Sequence, residues 1–598
     1  MLSFAASGQS KQTSVLVIGG TTSGFSAGLQ SARLNVPTII VEETPWLGGM
    51  MTAAGVSGID GNHDLNSGIW NEFRAKIRVH YGGESAVSTG WVSNTLFEPH
   101  VGDSIIKAMI AKENHLSVIY SFHLTGVLKD GNKVIGAEFE NTKGEKLIVK
   151  AKVVIDATDL GDGLKMAGAG YDLGMESRYI SGEEAAPETA NDIIQDLTWV
   201  AILKDYGTGT NKTIDKPATY RPDLFTGSCD HTVDMKSIDC KKMLSYGRLP
   251  NNKYMINWPI KGNDIYLNVV EMDWKDRNEI LKLAKEHTLN FVYYIQTELG
   301  FRNIGLADNE FPTKDRLALV PYHREGRRLK GIVRFNLNNI LDIYSGQPVY
   351  RTGVSVGNYP VDHHHKCRPD APEIKFPQVP SFNIPLGALI PEKLDGLIVS
   401  DKAISVSNLL NGSTRLQPCV ILTGQAAGVL AALSAKTNKE VREINIRKLQ
   451  QVLLDAGAYL MPLVDVTPAD KDFQAIQRVS ASGILYVKGE PYKWANRTWF
   501  YPDTTITIGE FANGLHSFEN AFPVKNDTSI LTMGKALEMI SALCDKDVIP
   551  EAKSILEKKC IRKFSPELAI TKRELSILTD LLINPFEVKE VDFNGNYK

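Results

Sequence analysis

The stretch Val15-Leu16-Val17-Ile18-Gly19-Gly20-Thr21-Thr22-Ser23-Gly24 constrains this chain more than any other. An apolar run, residues 14–18, meets two glycines and then a helical pattern from Gly24 to Leu34. A second apolar run, Pro37 to Val41, ends at Glu42. This is a β-α-β unit, and it calls for a parallel sheet. The turn follows the G-x-G-x-x-G dinucleotide fingerprint except at its middle glycine, which is Thr21. Gly19 permits the tight turn, and Gly24 lets the helix lie close to the sheet. The first helical amides would face a pyrophosphate with a favourable dipole. Glu42, 18 residues after Gly24, can accept hydrogen bonds from an adenosine ribose. Thr21 adds bulk where backbone should approach phosphate, although its hydroxyl can donate there. Taken alone, the turn fits either a dinucleotide site or a plain β-α-β turn without ligand.

At 598 residues the chain exceeds one core, and roughly three or four domain-sized units are expected. Lys plus Arg number 66 against 69 Asp plus Glu, so no basic surplus points to nucleic acid as a partner. The longest apolar run, Val420 to Leu433, is broken by Thr423 and Gln425 and is too short to span a bilayer. The chain therefore reads as soluble, with no transmembrane segment. Leu116 to Thr158 reads as three alternating strands with turns at Lys129-Asp130-Gly131-Asn132 and Asn141-Thr142-Lys143-Gly144, where glycine supplies positive φ. The last of these, "KAKVVIDAT", is apolar enough to return into the parallel sheet. Residues 175–340 are more mixed and read as an inserted layer. A buried strand at Gly396–Ser400 then leads into a small-residue helix, "CVILTGQAAGVLAAL", with Pro418 in its first turn.

After about residue 465 the texture changes. Three segments, 506–511, 531–537 and 570–575, share a helix-start pattern, and Thr507/Glu510 and Thr571/Glu574 have capping-box spacing. Three weak copies predict a repeat module of short helical units. The first dozen residues, "MLSFAASGQSKQ", fit either the remnant of a secretion signal or an ordinary disordered terminus. Among six cysteines, Cys229 with Cys240 and Cys544 with Cys560 could pair in an oxidising compartment, or all could be buried thiols.

Further segments extend the dinucleotide site. "WLGGMMTAAG" places Gly48-Gly49 after the acidic strand, and "DATDLGDGLKMAGAGYDLG" puts Ala157-Thr158 at a strand end before Gly161-Asp162. With "FEPHVG", "ADNEFPTKDRLALVPYHRE", "YRTGVSVGNYPVDHHH" and "NGSTRLQPCVILTGQAAG", they span roughly residues 14–460 in one order. In these pieces the chain resembles the FAD-dependent oxidoreductases of the glutathione-reductase-like flavoprotein fold. Within them it is most similar to a branch of secreted bacterial proteins labelled xanthan lyase-like. The tail also resembles an S-layer-homology repeat. The resemblance implies FAD rather than NAD. Carried over by position, Gly19, Gly20, Gly24 and Glu42 would hold the adenosine half, and Thr21, Thr22, Ser23 and Glu43 beside them complete the cofactor-binding candidates there. Gly48, Gly49, Met50 and Met51 would lie near the diphosphate and flavin, with Ala157, Thr158, Gly161 and Asp162 at a second cofactor-facing strand end. Asn411, Arg415, Leu416 and Gln417 would lie beside the isoalloxazine. Thr21 and Asp159-Leu160 depart from the family's usual pattern. The expected fold is α/β: a Rossmann-type parallel sheet with a β-meander crossover, an inserted α+β substrate domain and a small helical C-terminal domain. The expected divisions are 1–12 (a disordered terminus or signal remnant), 13–174 and 341–460 (the two parts of the FAD-binding domain), 175–340 (substrate domain) and 465–598 (helical repeat-like tail).

The candidate chemistry lies in "YRTGVSVGNYPVDHHHKC". If residues 361–365 are extended, His363 and His365 point one way and Asp362 and His364 the other. One face could meet substrate and flavin while the other anchors the strip, and a histidine near pKa 6.5 suits a base at a bond losing hydride. The same His-x-His spacing, with Cys367, also fits a metal, although no metal is expected. Tyr359 and Arg324 complete the catalytic candidates. The run "PYHREGRR", with His323, Arg324, Arg327 and Arg328, and Glu310 and Asp315 upstream, fits either a carboxylate clamp or an ion-paired turn. The function expected is hydride transfer from a small polar substrate, a carbohydrate or sugar acid, to flavin, with an unidentified electron acceptor. Two alternatives stay open: a redox-neutral lyase or isomerase acting on a glycan, and a non-catalytic surface glycan-binding protein. A periplasmic, secreted or cell-surface location is expected, with the tail contacting the envelope or another protein.

Overall fold

A computed structural model describes residues 9–233, 236–344, 346–492, 495–559 and 563–598. The β-α-β unit forms as the sequence predicts: β1 (Gln9–Ile18), α1 (Thr22–Arg33) and β2 (Thr38–Glu42). The disordered terminus expected over 1–12 is corrected at its end: residues 9–12 are strand, and residues 1–8 lie outside the described residues. Gln9 to Gln12 already pair with Leu147 to Lys150, because the neighbouring strand is long enough to extend the ladder.

Four further strands follow rather than three: β3 (Leu116–Tyr120), β4 (His123–Asp130), β5 (Lys133–Glu140) and β6 (Lys146–Asp156). β3 joins β2 in parallel, while β4, β5 and the first half of β6 form the antiparallel meander. Gly131 (φ +57°) and Gly144 (φ +79°) turn its hairpins. The second half of β6 runs parallel to β1 and to the late strand Leu397–Val399. The sheet order is therefore β3-β2-β1-β6, with Leu397–Val399 beyond β6 and the meander hanging from the same strand.

β1 is apolar without alternation because both faces are covered. Val15 and Val17 face one core with Phe25, Leu29 and Val420. Leu16 and Ile18 face the other, with Phe139, Val149 and Val399. The helix Gln417–Thr437, 21 residues long, is by length and composition apolar enough to cross a membrane, yet it is buried in the centre of this protein. Gly424 and Gly428 sit on the carbonyls of Ser23 and Ala27, where a Cβ would overlap the oxygen. Ser26 Oγ donates across the same seam to Ile421 O at 2.7 Å.

Between residues 175 and 340, a four-stranded antiparallel sheet runs in the order Arg248–Leu249, Lys253–Ile256, Ala201–Asp205, Ile304–Leu306. The helix Lys282–Thr297 buries Ala284, Thr288, Phe291, Val292 and Ile295. Cys229 and Cys240 form a disulfide; Cys560 lies outside the described residues. In the tail, Thr507/Glu510 and Thr571/Glu574 are complete capping boxes, and Thr532 caps its helix through Lys535 N alone. The three segments pair mutually through Thr505 with Thr571, Thr507 with Ile530, and Thr532 with Ala569.

The glycine seam yields a stability prediction. Gly424→Ala should force α1 and the long helix apart and cost about 2 kcal/mol, the usual scale for overpacking. A urea midpoint equal to that of the unsubstituted protein would show that the seam has slack.

Candidate active site

The parallel strands end together on one side of the sheet, the position where open α/β sheets bind ligands. The turn after β1 has the shape a dinucleotide needs. Gly19 sits at φ +94°, and a Cβ on Gly24 would overlap the Gly19 carbonyl oxygen. Gly49, also at positive φ, lies so close to Thr21 that a side chain there would press on backbone. Gly48 N–H donates to Gly20 O, and the Thr22 hydroxyl to Gly48 O, both at 2.8 Å. Thr21 caps α1 by accepting from Gly24 N–H, and its hydroxyl donates to Ala157 O at 2.7 Å. The end of β1 is thereby fixed to the end of β6. Glu42 Oε2 accepts from Gly20 N–H at 2.6 Å, and Oε1 from Thr44 N–H and Oγ1.

A cavity of about 600 Å³ opens here. Gly19, Thr21, Glu42, Glu43, Gly49, Met50, Thr158 and Asp162 line it, together with Phe122, His123, Pro321 and His323. Gly20, Ser23 and Met51 stand just behind this wall, buried in its support, and Gly161 turns the chain at φ +69° before Asp162. The inserted layer supplies a cover. Trp274 stacks on His123 with ring centroids 4.0 Å apart and donates to Glu43 Oε2 at 3.2 Å. Arg277 holds Asp162 through two bonds of 2.7 and 2.9 Å. The volume, the glycine cradle and the buried carboxylate at the end of β2 fit an adenine dinucleotide.

Asn411, Arg415, Leu416 and Gln417 do not line this cavity; they meet a second group of polar residues. Arg415 donates to Tyr322 Oη at 2.6 Å and to Asp362 Oδ2 at 2.8 Å. His364 Nδ1 bonds Asp264 Oδ2 at 2.8 Å, and its Nε2 lies 3.5 Å from Asp362 Oδ1. Arg324 holds Asp264 from the other side at 3.0 Å. Gln417 Oε1 accepts from Asp60 N–H at 3.3 Å, and its Nε2 donates to Gly58 O, so the start of the long helix positions Asp60. The two sites adjoin at one dipeptide: Tyr322 faces the charged group, and His323 lines the cavity.

The alternation expected of 361–365 is present, and it separates the three histidines. His363 and His365 lie together, ring centroids 5.1 Å apart. His363 Nε2 bonds Leu409 O, and its ring packs on Gly412 and Phe376. Of the three, His364 alone is placed among carboxylates. The arginines of the 321–328 run are ion-paired: Arg324 with Asp264, Arg327 with Asp162 and Glu271, Arg328 with Glu176 and Glu325. Among the described residues, metal-ligand spacing occurs instead at Glu98/His100/Glu310 and at Cys229/Asp230/Cys240. Lys253 Nζ fills the first, 2.7 Å from each glutamate, and the disulfide uses the second.

The profile of the family described as FAD dependent oxidoreductase matches residues 14–453. The chain belongs to the FAD-dependent oxidoreductase family. FAD is therefore the cofactor, and the protein is an FAD-dependent oxidoreductase. No curated protein matches it. Among solved structures it is similar to a geranylgeranyl bacteriochlorophyll reductase-like protein from Thermoplasma acidophilum, at 13% identity over 79% of this chain and 88% of that one (TM-score 0.33). It is also similar to the p-nitrophenol 4-monooxygenase of Pseudomonas putida, at 11% identity over 79% and 88% (TM-score 0.30). The myxobacterial chondrochloren halogenase aligns at 10% identity over 96% and 97% (TM-score 0.33).

In this flavoenzyme several residues stand at the sites that the sequence reading did not single out, two of them, Asp156 and Tyr322, inside segments it quoted. Asp156 shapes the Ala157–Thr158 turn by accepting from Thr158 N–H, Thr158 Oγ1 and Leu164 N–H. Asp401 reaches α1, and Asp60, Asp264 and Tyr322 join the charged group. The signal for Asp156 and Asp401 was positional, since each stands where a parallel strand ends.

Burial raises Glu42 to about 7, with Glu43 adding to the shift. Burial and the nearby Asp362 carboxylate raise Asp60 to about 7, and burial raises Glu325 to about 7 against the pull of Arg328. Burial and Arg324 disfavour the His364 cation, yet Asp362 and Asp264 outweigh them and hold its pKa above the ordinary value. Each of these folded values exceeds the unfolded one. Their contribution to stability is complete below the unfolded pKa and is lost as pH rises through the folded one. The apoprotein should therefore melt at a lower temperature at pH 8 than at pH 6.5, and Glu42→Gln should flatten part of that slope. A melting temperature that rises across this window would contradict these shifts.

Proposed function

We propose that this FAD-dependent oxidoreductase oxidises a hydroxyl of a small polar molecule, with a carbohydrate as the preferred class. Asp60 carries the proposal. It is partly exposed, it is tied to the start of the long helix through Gln417, and its pKa of about 7 suits a base at neutral pH. His364 and Arg415 hold Asp362 beside it. The sequence pattern favoured a histidine as base. His364, flanked by Asp264 and Asp362 and biased towards its cation, is better suited to donate hydrogen bonds and orient substrate. When bound, FAD supplies the hydride acceptor; Asp60 takes the hydroxyl proton.

Support for a neutral sugar over a sugar acid comes from the arginines, which are already engaged by carboxylates of the chain. Tyr246, partly exposed near Asp60, packs edge-on against Trp91 and Trp258 and offers the aromatic surface on which sugar rings commonly rest. The Cys229–Cys240 disulfide favours a periplasmic or secreted location. The mutual pairing of the three threonine-headed segments supports an S-layer-homology-like tail that contacts the envelope.

The test is anaerobic bleaching of the FAD-loaded enzyme with a panel of neutral sugars and sugar acids. At least one neutral sugar should bleach the flavin. Asp60→Asn should slow bleaching roughly 100-fold or more, the scale of a lost general base, with FAD retained. A loaded enzyme bleached by no sugar would remove the substrate class. Unchanged rates in Asp60→Asn would remove the assigned base.

A further inference from the structure

The first turn of α1 stands directly behind the Gly19 and Thr21 wall of the cavity, and a diphosphate is the anion that the amides of a β-α-β turn receive. In this chain a carboxylate already takes one of those amides. Asp401 Oδ2 accepts from Ser23 N–H at 3.2 Å and lies 3.0 Å from the Thr21 hydroxyl, whose one hydrogen it shares with Ala157 O. Its Oδ1 accepts from Lys402 N–H at 3.0 Å and lies 3.4 Å from Lys402 Nζ. The side chain is buried and follows directly on the strand Leu397–Val399 and Ser400. Asp401 is at φ +57°, a conformation that glycine adopts more cheaply, so the backbone carries some strain to place a carboxylate here.

Two departures thus meet at one point. Thr21, which replaces the middle glycine of the fingerprint, places a hydroxyl between Ala157 O and Asp401 Oδ2, and its shared hydrogen steadies Asp401 on the helix amide. A diphosphate and a carboxylate cannot share that amide, and negative charges a few ångströms apart repel strongly in a buried site.

We propose that Asp401 is a built-in competitor for the FAD diphosphate, with Thr21 as the latch that holds it on the α1 N-terminus. FAD binding then requires the Asp401 side chain to leave Ser23 N–H. Removing the carboxylate tightens the cofactor instead of loosening it. The effect is confined to ligands that carry phosphates, because the adenosine contacts around Glu42 lie outside the Asp401 contact set.

The experiment uses full-length apoprotein, with FAD binding followed by flavin fluorescence and ADP and adenosine binding by calorimetry. Asp401→Asn keeps the side-chain shape, and Asp401→Gly suits the backbone angle; thermal melts establish that each is folded, and either alone suffices. Both should lower Kd for FAD and for ADP about tenfold or more and leave adenosine within about twofold. Thr21→Gly, which opens the latch and keeps the carboxylate, should lower the FAD Kd by a smaller factor. An equal or weaker FAD affinity in the Asp401 variants overturns the proposal, because Asp401 would then support the cofactor. So does a gain for adenosine as large as that for ADP, which would mean a general loosening of the site.

Discussion

The close approach of α1 to the long helix Gln417–Thr437 is the constraint on which the cofactor half depends. Glycines at 424 and 428 let that helix rest on the carbonyls of Ser23 and Ala27, and a serine hydroxyl bridges the seam. The contact joins segments some 395 residues apart. Because it is made of backbone and small side chains, it has little room to adjust, and it fixes α1 relative to the sheet. The ends of β1, β2 and β6 can then supply side chains to one cavity from distant parts of the sequence.

The second site is organised by charge. Asp264, Asp362, His364, Arg324 and Arg415 neutralise one another in a largely buried group, and such groups contribute less to stability than to a unique geometry. Breaking one partner would leave the other buried and unpaired, so the group behaves as a unit. It also joins three parts of the chain: the inserted layer, the 361–365 strip and the start of the long helix.

Much of the parallel sheet was legible from residues 14–42, because period and glycine placement speak locally. The return of β6 to the sheet and both capping boxes were legible for the same reason. Leu116–Tyr120 was less so. It is only partly buried at the sheet edge, and its short run merges with the meander that follows. The polar network resisted sequence reasoning for a different cause. Asp60, Asp264 and Asp401 stand alone among ordinary neighbours, and only tertiary folding shows which charges they meet. The histidine triplet illustrates the limit: alternation separated His364 from His363 and His365, but nothing local revealed that Asp264 waited on one side.

The junction with the tail has a consequence for how the chain can be divided. The Arg351 guanidinium, in the flavin-binding half, finds Gly595 O, the Ser517 hydroxyl and the Tyr597 ring, all from the tail. Arg447 likewise lies over the Phe586 ring. A protein cut after the oxidoreductase half would keep these cations and lose what covers them. The tail thus serves as part of the enzyme's wall, and the change of texture visible in the sequence does not mark a break in the packing.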